Sequence, residues 1–247
     1  MPPKSTHTSS DSADLTVLKV RDDTEQDHRF DDLDPRLMKP PFRTLINAPS
    51  GSGKSVLNQN FIWNDNFYKD LFDAIIYLSP TIYEDKTAQH MHKMEDSKLI
   101  ISDEVEELDT LISNLMERQS EEEHKDDHIL LILDDCIGLI KRGSKLNTAI
   151  MRLRHYRVSV IMVTQYYRGV DPKVRENCSS FIFFKNANMS EVKKIVDEVG
   201  GGYDNFKKYY KYATSEPYCF LYVNGRRLYK NFDELLYDGI AKYSKDV

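Results

Sequence analysis

Apolar side chains in this chain gather into short unbroken runs, separated by segments in which they recur at helical spacing. Five runs stand out, at 42–47, 71–78, 129–133, 158–164 and 180–184; the second is stopped by Ser79-Pro80. Runs with no polar alternation are what strands need when both faces of a sheet are covered, as in a parallel sheet packed between helices. The intervening segments supply the covers. Residues 56–63 can be helical, and Val105, Leu108, Leu111, Ile112 and Leu115 share one face of a helix over 103–118. Further helices are predicted around 144–154 and over 190–199, the last ended by Gly200-Gly201-Gly202. The pattern predicts an α/β fold with a mostly parallel central sheet flanked by helices.

The two ends read differently. Residues 1–36 are rich in Ser, Thr and Asp and show little periodicity, so they read as a polar, loosely docked arm, with Leu15-Thr16-Val17-Leu18 as its one candidate strand. An arm that grips a neighbouring subunit is the functional alternative. Pro35, Pro40 and Pro41 separate it from a domain over 37–247, with a core at about 40–200 and an extension at 201–247. In the extension, the Tyr- and Lys-rich stretch 203–212 reads as a half-buried helix. Strands at 218–222 and 227–232 are joined through Asn224-Gly225 as a hairpin, and a final helix is predicted over 233–243. Residues 81–94 read as an exposed polar helix, since His90-Met91-His92 has no acidic or Cys partner at ligand spacing.

Composition narrows the class. The 247 residues are enough for one sizeable core. No apolar run approaches a membrane span and the N-terminus has no apolar signal core, which places the chain in the cytosol or a compartment continuous with it. Cys136, Cys178 and Cys219 are widely spaced and form no C-x-x-C pair, which suits thiols in a reducing compartment. The net charge of −6 argues against a passive polyanion binder, but seven basic residues and no acidic one fall between Lys141 and Arg168. The loop Lys141-Arg142-Gly143-Ser144-Lys145 reads either as a solvated loop or as a contact for nucleic-acid phosphates, and Lys207-Lys208-Tyr209-Tyr210-Lys211-Tyr212 suits a half-buried helix better than a second such contact.

The candidate chemistry begins where the first run ends. Ala48-Pro49-Ser50-Gly51-Ser52-Gly53-Lys54-Ser55 lies between a predicted strand and a predicted helix, the setting of a phosphate-binding loop. Small residues let the loop Pro49 to Ser55 wrap a polyphosphate, with successive N–H groups from Ser50 onward pointing inward, Lys54 reaches the β- and γ-phosphates, and the Ser55 hydroxyl completes a Mg²⁺ shell. Ala48 stands where such loops usually carry their first glycine. The run at 129–133 ends in Asp134-Asp135, two carboxylates that make little packing sense unless they face a cation. Asp134 would hold Mg²⁺, and Asp135 would orient or activate the water that attacks the γ-phosphate. The run at 158–164 ends at Gln165, either a γ-phosphate sensor or a loop-capping glutamine.

Taken together, the strand–loop–helix, the extra strand, the Asp-Asp strand and the strand ending in Gln resemble the additional-strand (ASCE, RecA-like) class of P-loop NTPases. More closely, the layout resembles the DNA-packaging ATPases of large double-stranded DNA viruses and virophages, within the FtsK–HerA superfamily. The residues that carry this are 48–55, Leu131-Ile132-Leu133-Asp134-Asp135, Arg154-His155-Tyr156-Arg157-Val158-Ser159 running into Thr164-Gln165, and Phe181-Ile182-Phe183-Phe184-Lys185. The resemblance implies ATP and Mg²⁺ bound between neighbours in a homo-oligomeric ring, double-stranded DNA in the central channel, and viral capsid (vertex) proteins as docking partners. It implies a setting in the host cytoplasm or viral factory, or in the virion. It also implies an arginine finger supplied across the interface, for which Arg154 fits best, with Arg152 and Arg157 as alternatives. Asp135 departs from the Asp-Glu of many relatives, which shortens the arm of a general base but leaves a water-positioning role open. Two other readings of the phosphate loop stay in play, a P-loop kinase of a small molecule or nucleotide and an assembly protein stabilised by nucleotide without turnover.

Overall fold

The computed structural model describes residues 28–84, 91, 96–136, 140 and 145–240. The continuous apolar runs become neighbouring strands of one sheet: β1 (Arg43–Asn47), β2 (Ala74–Leu78), β3 (Leu99–Ser102), β4 (Ile129–Asp134), β5 (Val158–Thr164) and β6 (Ser180–Phe184). These six pair in parallel. β7 (Phe220–Asn224), β8 (Arg227–Lys230) and β9 (Glu234–Asp238) extend the sheet antiparallel, in the order β3-β2-β4-β5-β1-β6-β7-β8-β9. Alternate residues of each run enter different cores, which is why the runs have no polar gaps. Leu45, Leu131, Leu133, Val160, Met162 and Phe183 enter one core. Ile46, Leu130, Ile132, Ile161, Val163 and Ile182 enter the other.

Helices close both faces. α1 (Lys54–Trp63) buries Leu57, Phe61 and Ile62 on the second core. On the first core lie α2 (Leu108–Arg118), α3 (Lys145–Arg152), α4 (Pro172–Glu176), α5 (Met189–Glu198) and α6 (Phe206–Ala213). α5 is pinned to α4 by a two-pronged pair: the guanidinium of Arg175, 4% exposed, donates to both carboxylate oxygens of Glu198 at 2.8 Å. No described helix is long and apolar enough to cross a membrane.

Several expectations need correction. Within the predicted final helix over 233–243, Glu234–Asp238 form strand β9 instead, Gly239 and Ile240 are helical, and 241–243 lie outside the described residues. The open edge of β8 offers backbone pairing that helical propensity cannot match, and Tyr237 packs edge-on to Tyr203. The hairpin loop is Gly225-Arg226 rather than Asn224-Gly225. Asn224 still pairs with Arg227 as the last rung, and Gly225 supplies the left-handed φ of 57°. β3 was not expected. Its three apolar residues sit on an exposed edge with Ile100 56% exposed, so it lacks the length and burial that marked the other strands. The helix predicted over 103–118 begins as a 3₁₀ turn at Val105–Glu107 and becomes α-helical at Leu108.

The part of the N-terminal arm within the described residues, 28–36, is firmly docked. Phe30 is buried against His128 edge-to-face at 4.7 Å, and Arg29 pairs with Asp73. The candidate strand at 15–18, the His90 and His92 pair, and Lys141, Arg142, Gly143 and Ser144 lie outside the described residues. Met91, within the predicted exposed helix, is buried in the second core.

Candidate active site

The site forms at the carboxyl ends of β1, β4 and β5, where parallel strands leave their loops and α1 begins. The Ala48 N–H donates to the Thr164 carbonyl at 3.0 Å, which continues the β1–β5 pairing one residue past the strand. Ala48 is fully buried in the core beneath α1, so its methyl fills space. It is absent from the non-glycine residues with positive φ, so the position makes no demand for glycine. Gly51 and Gly53 do need theirs, with φ of 72° and 99°. Ser52 Oγ donates to the Pro49 carbonyl at 2.7 Å and tightens the loop. Gly53 is the N-cap of α1 and provides no side-chain cap, so the first-turn N–H groups keep their capacity for an acceptor from outside. A Cβ at Gly51 would meet nothing within 4 Å. An uncapped helix start, an open loop mouth and Lys54 and Ser55 on the first turn together fit a polyphosphate.

Two acidic residues meet Lys54 from the end of β4, two strands away from β1. Lys54 Nζ donates to Asp134 Oδ1 at 3.0 Å and to Asp135 Oδ2. Asp135 turns out of β4 with φ of 56°, while its N–H still donates to the Val163 carbonyl at 3.0 Å. That left-handed step sends its carboxylate toward β5, where Gln165 Nε2 donates to Oδ2 at 3.0 Å. The sequence-predicted residues 49–55, Asp134, Asp135 and Gln165 are therefore brought together. Burial raises the Asp134 pKa despite the pull of Lys54. For Lys54, burial is outweighed by the two carboxylates and its pKa is raised, so the ammonium is held charged. The Cys136 thiol is pushed up to about 12 by burial and then by Asp134 and Asp135, which keeps it protonated and inert.

Residues that the sequence reading passed over complete the site. Tyr77 Oη donates to Asp134 Oδ2 at 2.7 Å, and Asn58 Nδ2 donates to Tyr77 Oη at 3.0 Å. The Asn58 position, one helical turn after Lys54 on α1, carried a usable signal as a polar residue on the face that packs on the sheet. Tyr77 carried none, since it sits in an apolar run. Asn47 Nδ2 donates to the carbonyls of Thr164 and Gln165 at 3.3 and 3.2 Å, which fixes the backbone that aims Gln165.

The arginines are not part of this constellation. Arg152 closes α3, Arg154 lies in the 3₁₀ turn Leu153–Tyr156, and Arg157 precedes β5. All three are therefore at the amino end of β5, a seven-residue strand that spans about 23 Å to Gln165. Arg157 donates to Asp126 at 3.0 Å, whereas Arg152 and Arg154 are exposed. The turn that bears them is anchored from below by Arg43, whose buried guanidinium donates to the Met151 carbonyl. Burial, and then the nearby Arg154, lowers the Arg43 pKa.

The model of the family described as Poxvirus A32 protein matches residues 28–200. The DNA packaging protein OPG160 of Variola virus is 30% identical over 172 residues, which cover 65% of this chain and 58% of the variola protein. The matched segment thus spans little more than half of that relative. An uncharacterized protein of Invertebrate iridescent virus 3, 088R, is 22% identical over 188 residues, 74% of this chain and 69% of its own length. Among solved structures, the genome packaging NTPase B204 of Sulfolobus turreted icosahedral virus 2, in complex with ATP-gammaS, superposes with a TM-score of 0.56 at 17% identity. It covers 76% of this chain and 93% of B204. That likeness places the fold among P-loop NTPases.

Proposed function

The chain belongs to the Poxvirus A32 protein family, and on that basis we propose that it is an ATPase that drives double-stranded DNA into a viral capsid. The observation that carries the reading is Asp135 held between Lys54 and Gln165 beside an uncapped helix start. A phosphate loop alone would serve a kinase or a passive binder. A carboxylate and an amide aimed at the same point, next to the lysine that receives the terminal phosphate, suit the positioning of a water.

In this reading the N–H groups of Gly51 to Ser55 bind the triphosphate and Lys54 leaves the aspartates to engage its β- and γ-oxygens. Magnesium, held by Ser55 Oγ and Asp134, would neutralise the charge that builds on those oxygens. Asp135 accepts a hydrogen bond from the attacking water and takes up its proton, and Gln165 fixes the water's direction. The new bond forms between the water oxygen and the γ-phosphorus, the bond to the bridging oxygen breaks, and ADP and phosphate leave. Arg154 of a neighbouring copy, or Arg152, supplies the guanidinium that balances charge on the transferring group. The ring of copies surrounds the DNA, docks on capsid vertex proteins and works in the cytoplasm or viral factory of the infected cell, with carriage in the virion as a further station.

The test is phosphate release by the purified chain across a range of protein concentrations, with and without double-stranded DNA. The expected result is a rate per subunit that climbs with concentration and rises again with DNA. A phosphorylated acceptor in place of free phosphate would establish the kinase reading, and binding without turnover under every condition would establish the assembly reading.

A further inference from the structure

The residues that mark the terminal-phosphate end of the site all lie on one flank of the phosphate loop. Asp134 and Asp135 end β4, Gln165 follows β5, and β5 is the neighbour of β1 on that side. The other flank of β1 is occupied by β6 and then β7. A nucleoside triphosphate with its last phosphate near Asp135 must carry its nucleoside away from β4, toward the segment that leads into β7. That segment is the turn Glu216-Pro217-Tyr218-Cys219.

Tyr218 has three unusual properties at once. Its side chain reaches the phosphate loop: a Cβ placed on Gly53 would lie 3.3 Å from Tyr218 Cδ1 and 3.9 Å from its Cβ. It is 71% exposed, the largest exposure among the exposed large apolar and aromatic side chains of the described residues. Its backbone is left-handed, with φ of 63°. The Cys219 N–H returns to the Glu216 carbonyl at 3.4 Å, so Pro217 and Tyr218 are the two central residues of a β-turn, and the second of these has positive φ. Glycine or asparagine suits that position, and a bulky side chain there is strained. A ring this exposed gains little from burial to offset the strain. Strain of this kind, kept where the fold does not need it, accumulates at ligand sites.

We propose that Tyr218 is a positioning residue for the nucleoside end of the bound nucleotide, its ring forming a stacking face for the base beside Gly53. This rests on the nucleotide reading of the phosphate loop. The contact made is ring on ring, with no hydrogen-bond pattern read from the base, so it supports purine and pyrimidine triphosphates alike and adds affinity without adding a chemical step. The φ of 99° at Gly53 already asks for glycine, and a Cβ there would lie 3.3 Å from the Tyr218 ring.

The experiment compares the full chain with Tyr218→Gly, Tyr218→Asn and Tyr218→Phe, and measures by calorimetry the binding of magnesium ATP-gammaS and of magnesium tripolyphosphate, which has no base. Tm is recorded for each variant. The expected result is about tenfold weaker ATP-gammaS binding by the Gly and Asn variants. Binding by the Phe variant should stay within about twofold, and tripolyphosphate binding should be unchanged throughout. Tm should hold or rise in the Gly and Asn variants because the turn is relaxed. Unchanged ATP-gammaS affinity in the Gly and Asn variants would overturn the assignment. So would an equal loss for tripolyphosphate, because the ring would then be shaping the loop rather than meeting a base. If the wild-type chain bound neither ligand, the nucleotide reading itself would fail, and this inference with it.

Discussion

Gln165 and Asp135 come from the ends of adjacent strands and meet through one hydrogen bond, Nε2 to Oδ2 at 3.0 Å, on the carboxylate that Lys54 also holds. Neither side chain is needed to close the core, since the β4 and β5 residues before them already do so. Asp135→Asn keeps the size and a hydrogen-bonding oxygen but loses the charge that draws a proton. It should lower kcat for phosphate release by about 10²–10⁴ while ATP affinity changes only a few-fold. Gln165→Ala should cost about 10² in kcat, with the same small effect on binding. A wild-type rate for Asp135→Asn would remove Asp135 from the chemistry.

Arg154 lies too far from the phosphate loop of its own chain to act there, which makes its role testable by mixing. Arg154→Ala and Asp135→Asn should each be nearly inactive alone. In an equal mixture, roughly a quarter of the interfaces pair an intact Asp135 with an intact Arg154 of the neighbour, so roughly a quarter of the wild-type rate should return. The same experiment with Arg152→Ala separates the two arginines. No recovery with either would sink the shared-site reading.

Tyr77 connects the acidic pair to the core of α1. Its hydroxyl joins Asn58 Nδ2 to Asp134 Oδ2, so Tyr77→Phe strands a buried donor and loosens the carboxylate assigned to magnesium. Denaturant unfolding should show a loss of about 1–3 kcal/mol. The magnesium concentration at half-maximal ATPase rate should rise several-fold, which a purely structural role would leave unmoved.

Glu198 should contribute to the acid sensitivity of the fold. Burial favours its neutral form, but hydrogen bonds from Arg175 and Lys194 outweigh burial and bring its pKa down from 4.5 to about 2. A pKa lowered by folding contributes stability that is present above the unfolded value and lost as pH falls through the folded one. The contribution should be complete above about pH 5.5 and decline between about 4.5 and 2. Glu198→Gln leaves the buried Arg175 without its two-pronged partner and should cost about 2–3 kcal/mol at neutral pH, with a flatter profile below pH 4.5. Unfolding midpoints measured across that range check both statements.

What could be read from the sequence follows from how each element earns its stability. β1, β2, β4, β5 and β6 announce themselves because burial on both faces demands unbroken apolar runs. The phosphate loop, Asp134, Asp135 and Gln165 are legible because they sit at the ends of those runs. β9 was misread because Glu234-Leu235-Leu236-Tyr237-Asp238 has no strong local preference, and its state is decided by the free edge of β8. Tyr77 was invisible because in a strand covered on both faces a tyrosine looks like any other large apolar residue. Ala48 follows from its burial under α1, where the fold asks for a small apolar side chain.

The position of β1 at the centre of the sheet has a consequence for how the protein is made. Its partners are far along the chain: Asn47 contacts Thr164 across 117 residues, and Thr44 contacts Ser180 across 136. Contacts so distant in sequence make folding slow, because the loop must close before anything rewards it. At roughly 5–20 residues per second of synthesis, β1 waits several seconds or more with its apolar side chains uncovered. The phosphate loop therefore leaves the ribosome well before the strands that give it its shape, and a nascent chain truncated before β5 should have no complete phosphate site.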